Sequence, residues 1–310
     1  MTGQLSLVTT IYTVNRLSDL RDLVASIERQ SVLPKLIVVV EGSMSLKAAV
    51  EGILLGLPNS PRVILTTERL GLSGARNLGA RVADTDYVGF VDDDAILDPS
   101  WTRTVITEFD LSEDLIGITG ITLPQWKNQE DSWIPRSLYW LIGCTDSRAP
   151  KKKEFVDWAS GTNMVFRRVL FNGILFDQGL GGIKEHGKLS FAGDENDFVL
   201  RLAQTTGKHL LYCPDVRVFH KVPPYKVSAT YIRRYSMMQG YAEARYSSEY
   251  RRIRRNAIRT GALLGLFYDL FFCSPDVLLK RLTATLNFGI FALIGYLAFR
   301  FPRLLVLGGA

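Results

Sequence analysis

Three consecutive carboxylates follow a short apolar segment of the chain. The segment Tyr87–Val91 predicts a buried strand, and Asp92, Asp93 and Asp94 come directly after it. Like charges crowd together at a cost unless a counter-charge is present, and two carboxylates at the end of a buried strand can hold a hard divalent ion. Such an ion can in turn hold a substrate diphosphate. The alternative is a solvated turn in which Asp98, before Pro99, caps the next helix.

A second acidic cluster opens a predicted amphipathic helix. The residues Asp194, Glu195 and Asp197 are three acids within four positions. One acid in a first helical turn is explained by capping and the helix dipole, but three exceed what a cap needs. Either Asp194 or Glu195 could therefore act as a general base that takes a proton from an attacking hydroxyl. His220, at the end of the apolar stretch Val216–Phe219, is either a metal ligand or a structural histidine.

The elements that must position these side chains alternate between short apolar runs and helical patterns. The runs Leu5–Ile11, Leu36–Val40 and Val63–Thr66 predict strands, and apolar residues at helical spacing lie between them. This alternation predicts an α/β fold with a mostly parallel central sheet and helices on both faces. Ligands bind such sheets at the carboxyl ends of the strands. Polar residues follow the predicted strands at this edge, namely Asn15, Glu41, Arg69, Asp92, Asp93 and Asp94.

A glycine-rich segment, Gly71–Gly79, follows the third predicted strand and opens a helix. Its spacing fits neither the dinucleotide fingerprint GxGxxG nor the phosphate loop GxxxxGK[ST]. Arg76 could contact phosphate or carboxylate groups near the start of this helix. The small residues could equally serve close packing of the helix against the sheet. A further polar cluster, Ser160–Asn163, precedes a predicted strand at Met164–Phe166.

Composition and charge limit the class of protein. A chain of 310 residues with 47% hydrophobic content can form one large α/β domain and an appendage, which excludes a disordered chain. The three cysteines show no paired spacing, so neither a disulfide framework nor a zinc site is expected. The first 30 residues lack a basic start followed by an uninterrupted apolar core, so no secretory signal is expected. The segment Lys221–Arg259 has ten Lys or Arg and two acids, and thus carries +8 in a chain of net charge +6.

The C-terminal third combines this basic segment with apolar stretches. Leu263–Phe272 is too short to cross a bilayer and predicts an interfacial segment. Leu282–Phe299 has 18 uncharged residues, which leaves one membrane span and purely interfacial helices as open alternatives. Lys280 and Arg281 precede this stretch and predict, by the positive-inside rule, that the N-terminal domain lies in the cytoplasm.

The order and approximate spacing of these motifs resemble those of the family 2 glycosyltransferases, which are nucleotide-sugar enzymes with the GT-A fold. The resemblance covers residues 5 to about 240. It implies a GT-A nucleotide-sugar-binding catalytic domain over residues 1–225, followed by basic amphipathic and hydrophobic helices over residues 226–310. The matching segments, in chain order, are Thr13–Arg16, Val39–Ser43, Gly74–Gly79, Asp92–Asp94, Gly161–Asn163 and Asp194–Asp197.

The resemblance also implies a role for each motif. Asp92 and Asp94 match the DxD motif, whose second carboxylate usually coordinates Mg²⁺ or Mn²⁺ on the diphosphate, and His220 matches a histidine that often completes that metal site. Glu195, where an aspartate is more usual, or Asp194 would be the catalytic base. The nucleotide base stays open, since Glu41 stands where an aspartate is common. The donor would be bound by Thr13, Asn15, Glu41, Arg76, Asp92 and Asp93. The acceptor side would comprise Gly161, Thr162, Asn163, Asp197, Arg233 and Arg234.

These features predict an inverting, metal-dependent glycosyltransferase at the cytoplasmic face of the cell membrane. Its acceptor would be a hydroxyl of a polyprenyl- or dolichyl-phosphate-linked saccharide or another glycan, because a basic segment beside apolar helices suits a phosphate in the headgroup layer. The alternative is a non-enzymatic membrane-binding scaffold with a degenerate GT-A domain. A nucleotidyltransferase would need a Gly-, Arg- or Lys-rich loop after the first strand, which Tyr12–Arg16 lacks. Nucleic-acid binding is disfavoured by the apolar run after the basic segment. The donor sugar, the pathway and the oligomeric state are not specified by the sequence.

Overall fold

A computed structural model describes residues 3–180, 193–245 and 275–300. The predicted interfacial segment Leu263–Phe272 and the basic residues from Arg251 to Arg259 lie outside the described residues. The description below concerns the described ranges.

The N-terminal half builds a parallel sheet with one helix after each of its first three strands. The strands are β1 (Leu5–Ile11), β2 (Lys35–Glu41), β3 (Arg62–Thr66) and β4 (Tyr87–Phe90), and the helices are α1 (Leu17–Glu28), α2 (Met44–Leu54) and α3 (Gly71–Val82). β1 pairs in parallel with both β2 and β4, and β2 pairs in parallel with β3. The βα units predicted from the sequence are therefore present, with boundaries that agree within two residues.

The second half of the sheet is antiparallel. It contains β5 (Ala95–Leu97), β6 (Leu115–Trp126), β7 (Glu154–Val156), β8 (Met164–Arg167) and β9 (His209–Val222), with α4 (Trp101–Leu111) and α5 (Asp194–Thr206) between them. The strand order is β3-β2-β1-β4-β8-β6-β9-β5, and β7 pairs with β9. β8 runs antiparallel to both β4 and β6, and β9 runs antiparallel to β5 and β7. The α/β prediction is confirmed, but the sheet is mixed rather than mostly parallel, because the later strands are not joined by regular βαβ crossovers.

Helices cover both faces of the sheet, and this explains why the strands are continuous apolar runs. Leu7, Val38 and Val40 belong to one buried cluster with residues of α1, α2 and α4. Val8 belongs to a second cluster, with residues of α3 and α5. A Cβ atom on Gly79 of α3 would lie 2.3 Å from a methyl carbon of Val8, so the small residues of the glycine-rich segment do allow close helix-to-sheet packing.

The chain forms two compact units, and the elements above belong mainly to the first. Among described residues, the first unit contains those up to Pro124, from Pro150 to Leu180, and Asp194–His220. The second contains Gln125–Ala149, Gly193 and the described residues after His220. The domain boundary predicted after residue 225 stays a prediction.

In its described residues, the second unit contains two long helices and three short 3₁₀ helices. The long helices are α6 (Ala229–Arg245) and α7 (Pro275–Arg300), and the short ones are Gln129–Trp133, Arg136–Ile142 and Pro224–Val227. Its apolar core includes Ile232 of α6 with Ala284 and Phe288 of α7. The two helices approach so closely that a Cβ atom on Gly240 would lie 1.7 Å from the carbonyl oxygen of Ala292.

Helix α7 satisfies the length and composition of a membrane-spanning helix. Its segment Asp276–Ile294 has a mean hydropathy of 1.5, and α7 is the one helix in the described ranges that passes this test. Large aliphatic side chains on α7 are exposed at Leu279, Leu286, Ile290 and Leu293. The predicted span Leu282–Phe299 lies within this helix.

Candidate active site

The carboxyl ends of adjacent strands bring the predicted polar residues to one edge of the sheet. Because β1 lies between β2 and β4, the residues after these strands are neighbours in the fold. A 3₁₀ turn, Val14–Arg16, follows β1, and the Thr13 hydroxyl accepts a hydrogen bond from the Asn15 amide at 3.4 Å. After β2, Glu41 accepts a hydrogen bond from the amide of Gly71, at the start of α3, at 3.3 Å. The side chain of Asn15 is exposed, and that of Glu41 is half-buried.

The three predicted metal ligands lie together in the structure. Asp92, Asp94 and His220 each offer one ligand atom, and these atoms lie within 4.8 Å of one another. Pairing of β5 with β9 sets Ala95 opposite His220, and this register carries the imidazole to the aspartates. Asp94 is only 2% exposed, and its Oδ1 lies 3.1 Å from His220 Nε2. Two carboxylates and an imidazole are a donor set that suits Mn²⁺ and also Mg²⁺, so these residues fit the metal that the motif implies.

Arg16 provides positive charge beside the aspartates. Its Nη1 donates a hydrogen bond to Asp94 Oδ2 at 2.8 Å and another to Asp19 Oδ2 at 3.1 Å. Its Nε lies 3.9 Å from Asp93 Oδ1. Burial of Asp93 raises the pKa of its carboxyl to about 8, and the charge of Arg16 opposes this rise. Arg16 therefore supplies part of the positive charge that offsets the repulsion among these three adjacent carboxylates.

The second acidic cluster surrounds a buried arginine. Arg76 Nη1 donates hydrogen bonds to Asp194 Oδ2 at 2.9 Å and to Glu195 Oε1 at 3.0 Å. Its Nη2 donates to the carbonyl oxygen of Gly161 at 3.0 Å and lies 4.0 Å from Asp92 Oδ1. The Ser73 hydroxyl lies 2.9 Å from Asp194 Oδ2. One guanidinium therefore joins the candidate base to the candidate metal ligands.

The two carboxylates of this cluster differ in environment. Asp194 is 2% exposed, whereas the Glu195 side chain is 19% exposed. Burial, together with the charge of Glu195, raises the pKa of Asp194 to about 7. Burial alone would raise the pKa of Glu195, but the charge of Arg76 and a hydrogen bond with Asp194 bring it below its usual value. Glu195 is therefore the ionised and more accessible carboxylate of the pair.

Residues predicted for the acceptor side have different surroundings. Asn163 is buried, accepts a hydrogen bond from Trp101 Nε1 at 2.8 Å, and donates to the carbonyl oxygens of Ile121 at 3.0 Å and Val216 at 2.9 Å. It therefore ties β6 and β9 to the start of β8. Thr162 is buried as well. Asp197 forms an ion pair with Arg201, one turn further along α5.

The remaining acceptor-side residues, Arg233 and Arg234, are exposed on α6 in the second unit. Arg233 Nε donates to Asn287 Oδ1 of α7 at 3.0 Å. Their predicted contact with an acceptor stays a prediction, as do the assigned roles of the other site residues.

Sequence reasoning assigned no role to two residues at this site. The motif Thr13–Arg16 contains Arg16, and a cation just after the first strand, at the same sheet edge as three aspartates, is a usable signal. Ser73 lies 121 residues before Asp194 in the sequence, and nothing in the residues around it indicates that the two side chains are in contact.

The fold is that of the GT-A glycosyltransferases. Residues 8–175 match glycosyl transferase family 2, more than half of the chain, and the protein belongs to this family. Its activity class is therefore glycosyl transfer. A glucosyl-dolichyl phosphate glucuronosyltransferase of Haloferax volcanii is 26% identical over 244 residues, which are 77% of this chain and 76% of the relative.

Solved structures share the fold at low identity. The mannosyltransferase PcManGT from Pyrobaculum calidifontis, in complex with GDP-Man and Mn²⁺, aligns with a TM-score of 0.62 at 15% identity, over 98% of this chain and 88% of that one. Residues 1–349 of S. aureus TarS, in complex with UDP, align with a TM-score of 0.52 at 13% identity, over 96% of this chain and 91% of that one.

Proposed function

We propose that the protein is an inverting, metal-dependent glycosyltransferase that moves a sugar from a nucleotide-sugar donor to a hydroxyl of a polyprenyl- or dolichyl-phosphate-linked saccharide. The observation that carries this proposal is the position of Glu195. The Arg76 guanidinium contacts both the Glu195 carboxylate, at 3.0 Å, and Asp92, at 4.0 Å. An accessible base is therefore separated from the candidate metal ligands only by the side chain of Arg76. This arrangement suits a site in which a base and a leaving diphosphate act on one sugar carbon.

Glu195 would accept the proton of the acceptor hydroxyl as that oxygen attacks the anomeric carbon. The bond from this carbon to the diphosphate breaks as the new glycosidic bond forms, and a single displacement inverts the anomeric configuration. Mn²⁺ or Mg²⁺, held by Asp92, Asp94 and His220, would neutralise charge on the departing nucleoside diphosphate. A well-placed base of this kind contributes about 10²- to 10⁴-fold to the rate.

The buried side chain of Arg76 keeps Glu195 in place. Arg76 donates a hydrogen bond to Glu195, and the same guanidinium is itself held by a second hydrogen bond, to the Gly161 carbonyl oxygen. Asp194 lies deeper and is held by Arg76 and Ser73, which favours a supporting role for Asp194 and the role of base for Glu195.

The donor would be bound by the sheet-edge residues Thr13, Asn15, Glu41, Arg76, Asp92 and Asp93. Support comes from their position after β1, β2 and β4 and in α3. Neighbours of the same fold bind a nucleotide sugar with Mn²⁺ in one case and UDP in another. These neighbours carry different nucleotides, so the donor base is left to experiment.

The lipid-linked acceptor is supported by the relative from Haloferax volcanii, whose name specifies a dolichyl phosphate substrate. Helix α7 with its exposed aliphatic side chains fits an enzyme that works at a membrane. Exposed Arg233 and Arg234 of α6 suit a phosphate in the headgroup layer. Lys280 and Arg281 near the start of α7 favour catalysis at the cytoplasmic face.

The test uses the full-length protein in detergent, a panel of nucleotide sugars, and assays of nucleoside diphosphate release with metal or lipid-linked saccharide left out in turn. We expect release to require both Mn²⁺ or Mg²⁺ and the acceptor, and to disappear in Asp94→Ala. Exposed Glu113→Ala, outside the site, should behave as wild type. Folded protein that turns over no donor would refute the proposed reaction and favour a membrane-binding scaffold.

A further inference from the structure

The two oxygens of Asp94 have different partners. Oδ1 faces His220 Nε2 at 3.1 Å, on the side of the candidate metal ligands, and Oδ2 accepts a hydrogen bond from Arg16 at 2.8 Å. The carboxylate is almost completely buried, and these two contacts constrain its orientation. A metal held on the His220 side would leave the Arg16 contact in place.

Arg16 is itself held by neighbouring groups. Its amide donates to the carbonyl oxygen of Thr13 at 3.2 Å, which fixes the turn after β1. Its guanidinium is also bonded to Asp19, in the first turn of α1, at 3.1 Å. The side chain is therefore oriented by the protein.

The charge of Arg16 is also balanced locally. Asp19 and Asp93 lie at 3.1 Å and 3.9 Å from its guanidinium, so its repulsion of a nearby cation is largely offset by these two carboxylates. Without Arg16, Asp93 and Asp94 would lose a positive charge that offsets their mutual repulsion, and Asp94 Oδ2 would lose a charged donor in a buried position.

We propose that Arg16 is a positioning residue for the metal site: it holds Asp94 in the orientation in which Oδ1 faces the ion beside His220. The inference rests on the proposed metal-dependent function and deepens it. Partners behind a metal ligand typically contribute about 10- to 100-fold to metal affinity.

The test measures Mn²⁺ binding by electron paramagnetic resonance, with Mn²⁺ alone and with Mn²⁺ plus UDP or GDP. We expect Arg16→Ala to bind Mn²⁺ at least about 10-fold more weakly than wild type, and Arg16→Lys to recover part of the loss. Arg21→Ala, which removes an exposed arginine from α1, the helix that follows Arg16, should bind as wild type. At saturating Mn²⁺ the kcat of Arg16→Ala should approach that of wild type, which a general folding defect would not allow.

Equal or tighter Mn²⁺ binding by Arg16→Ala would overturn the inference, because the Arg16 side chain would then contribute nothing to metal binding or would oppose it. If Arg16→Ala does not fold, Arg16→Lys decides the question, and wild-type affinity in that variant would contradict the inference. Wild-type protein that binds no Mn²⁺ under any of the three conditions would instead refute the metal site itself.

Discussion

A Gly161→Ala substitution tests the proposed position of the Glu195 carboxylate, because it adds a single Cβ atom next to that carboxylate. A Cβ atom there would lie 2.1 Å from Glu195 Oε1 and 2.7 Å from Arg76 Nη2, whereas ordinary contact begins at 3.4 Å. Arg76 cannot move freely, because it is buried and bonded to Asp194 and Glu195. The Gly161→Ala substitution must therefore displace the Glu195 carboxylate by about 1 Å, and a misplacement of that size can cost about 10²-fold in rate.

The assay is the transfer rate to a lipid-linked saccharide at saturating donor and Mn²⁺, with thermal unfolding measured in parallel. We expect kcat of Gly161→Ala to fall about 100-fold while Mn²⁺ binding is little changed, since Asp94 and His220 are not displaced. Gly173→Ala is the matched control, because a Cβ atom there meets nothing within 4 Å. A folded Gly161→Ala enzyme with wild-type kcat would refute the assignment of Glu195 as the base at this position.

Three further predictions concern pH and packing. In the unfolded chain Asp194 ionises near its ordinary pKa of 3.8, whereas in the folded protein its pKa is about 7, so the wild type loses stability as pH rises from about 4 to 7. Over the same pH range the melting temperature of Asp194→Asn should rise relative to that of the wild type. A difference between the two melting temperatures that does not change with pH would contradict this prediction. Asn163→Ala should lower the free energy of unfolding by about 3 kcal/mol in urea titrations, because buried partners lose their hydrogen bonds, and a change below about 1 kcal/mol would show that those partners find others. Gly240→Ala should lower the melting temperature by forcing α6 away from the Ala292 carbonyl, whereas Gly289→Ala, with open space around it, should not; equal melting temperatures would disprove the close approach.

The strands and helices of the N-terminal half could be predicted because each is specified by the pattern of apolar and polar residues within its own segment of the sequence. β1 is a continuous apolar run bounded by polar residues, and its predicted limits, Leu5–Ile11, are those of the structure. The antiparallel pairing of β8 with β4 and β6 could not be predicted, because an apolar run specifies a buried strand but neither its neighbour nor its direction.

In the candidate site, too, some features could be predicted from the sequence and others depend on tertiary contacts. Asp92, Asp94 and His220 could be grouped through the resemblance, and the register of β5 with β9 brings them together. The contacts of Arg76 could not be predicted from the sequence. A cation after a glycine-rich turn suggested a phosphate contact, whereas its bonds to Asp194 and Glu195 join residues more than 115 positions apart and depend on tertiary packing.

The most direct test of the account compares wild type with Glu195→Gln, which preserves the shape of the side chain and removes its basicity. Donor binding in the presence of Mn²⁺ and transfer to the lipid-linked saccharide are measured on the same preparations. The account predicts that the variant binds donor and Mn²⁺ as wild type does and transfers sugar about 10²- to 10⁴-fold more slowly. Transfer at the wild-type rate would contradict it.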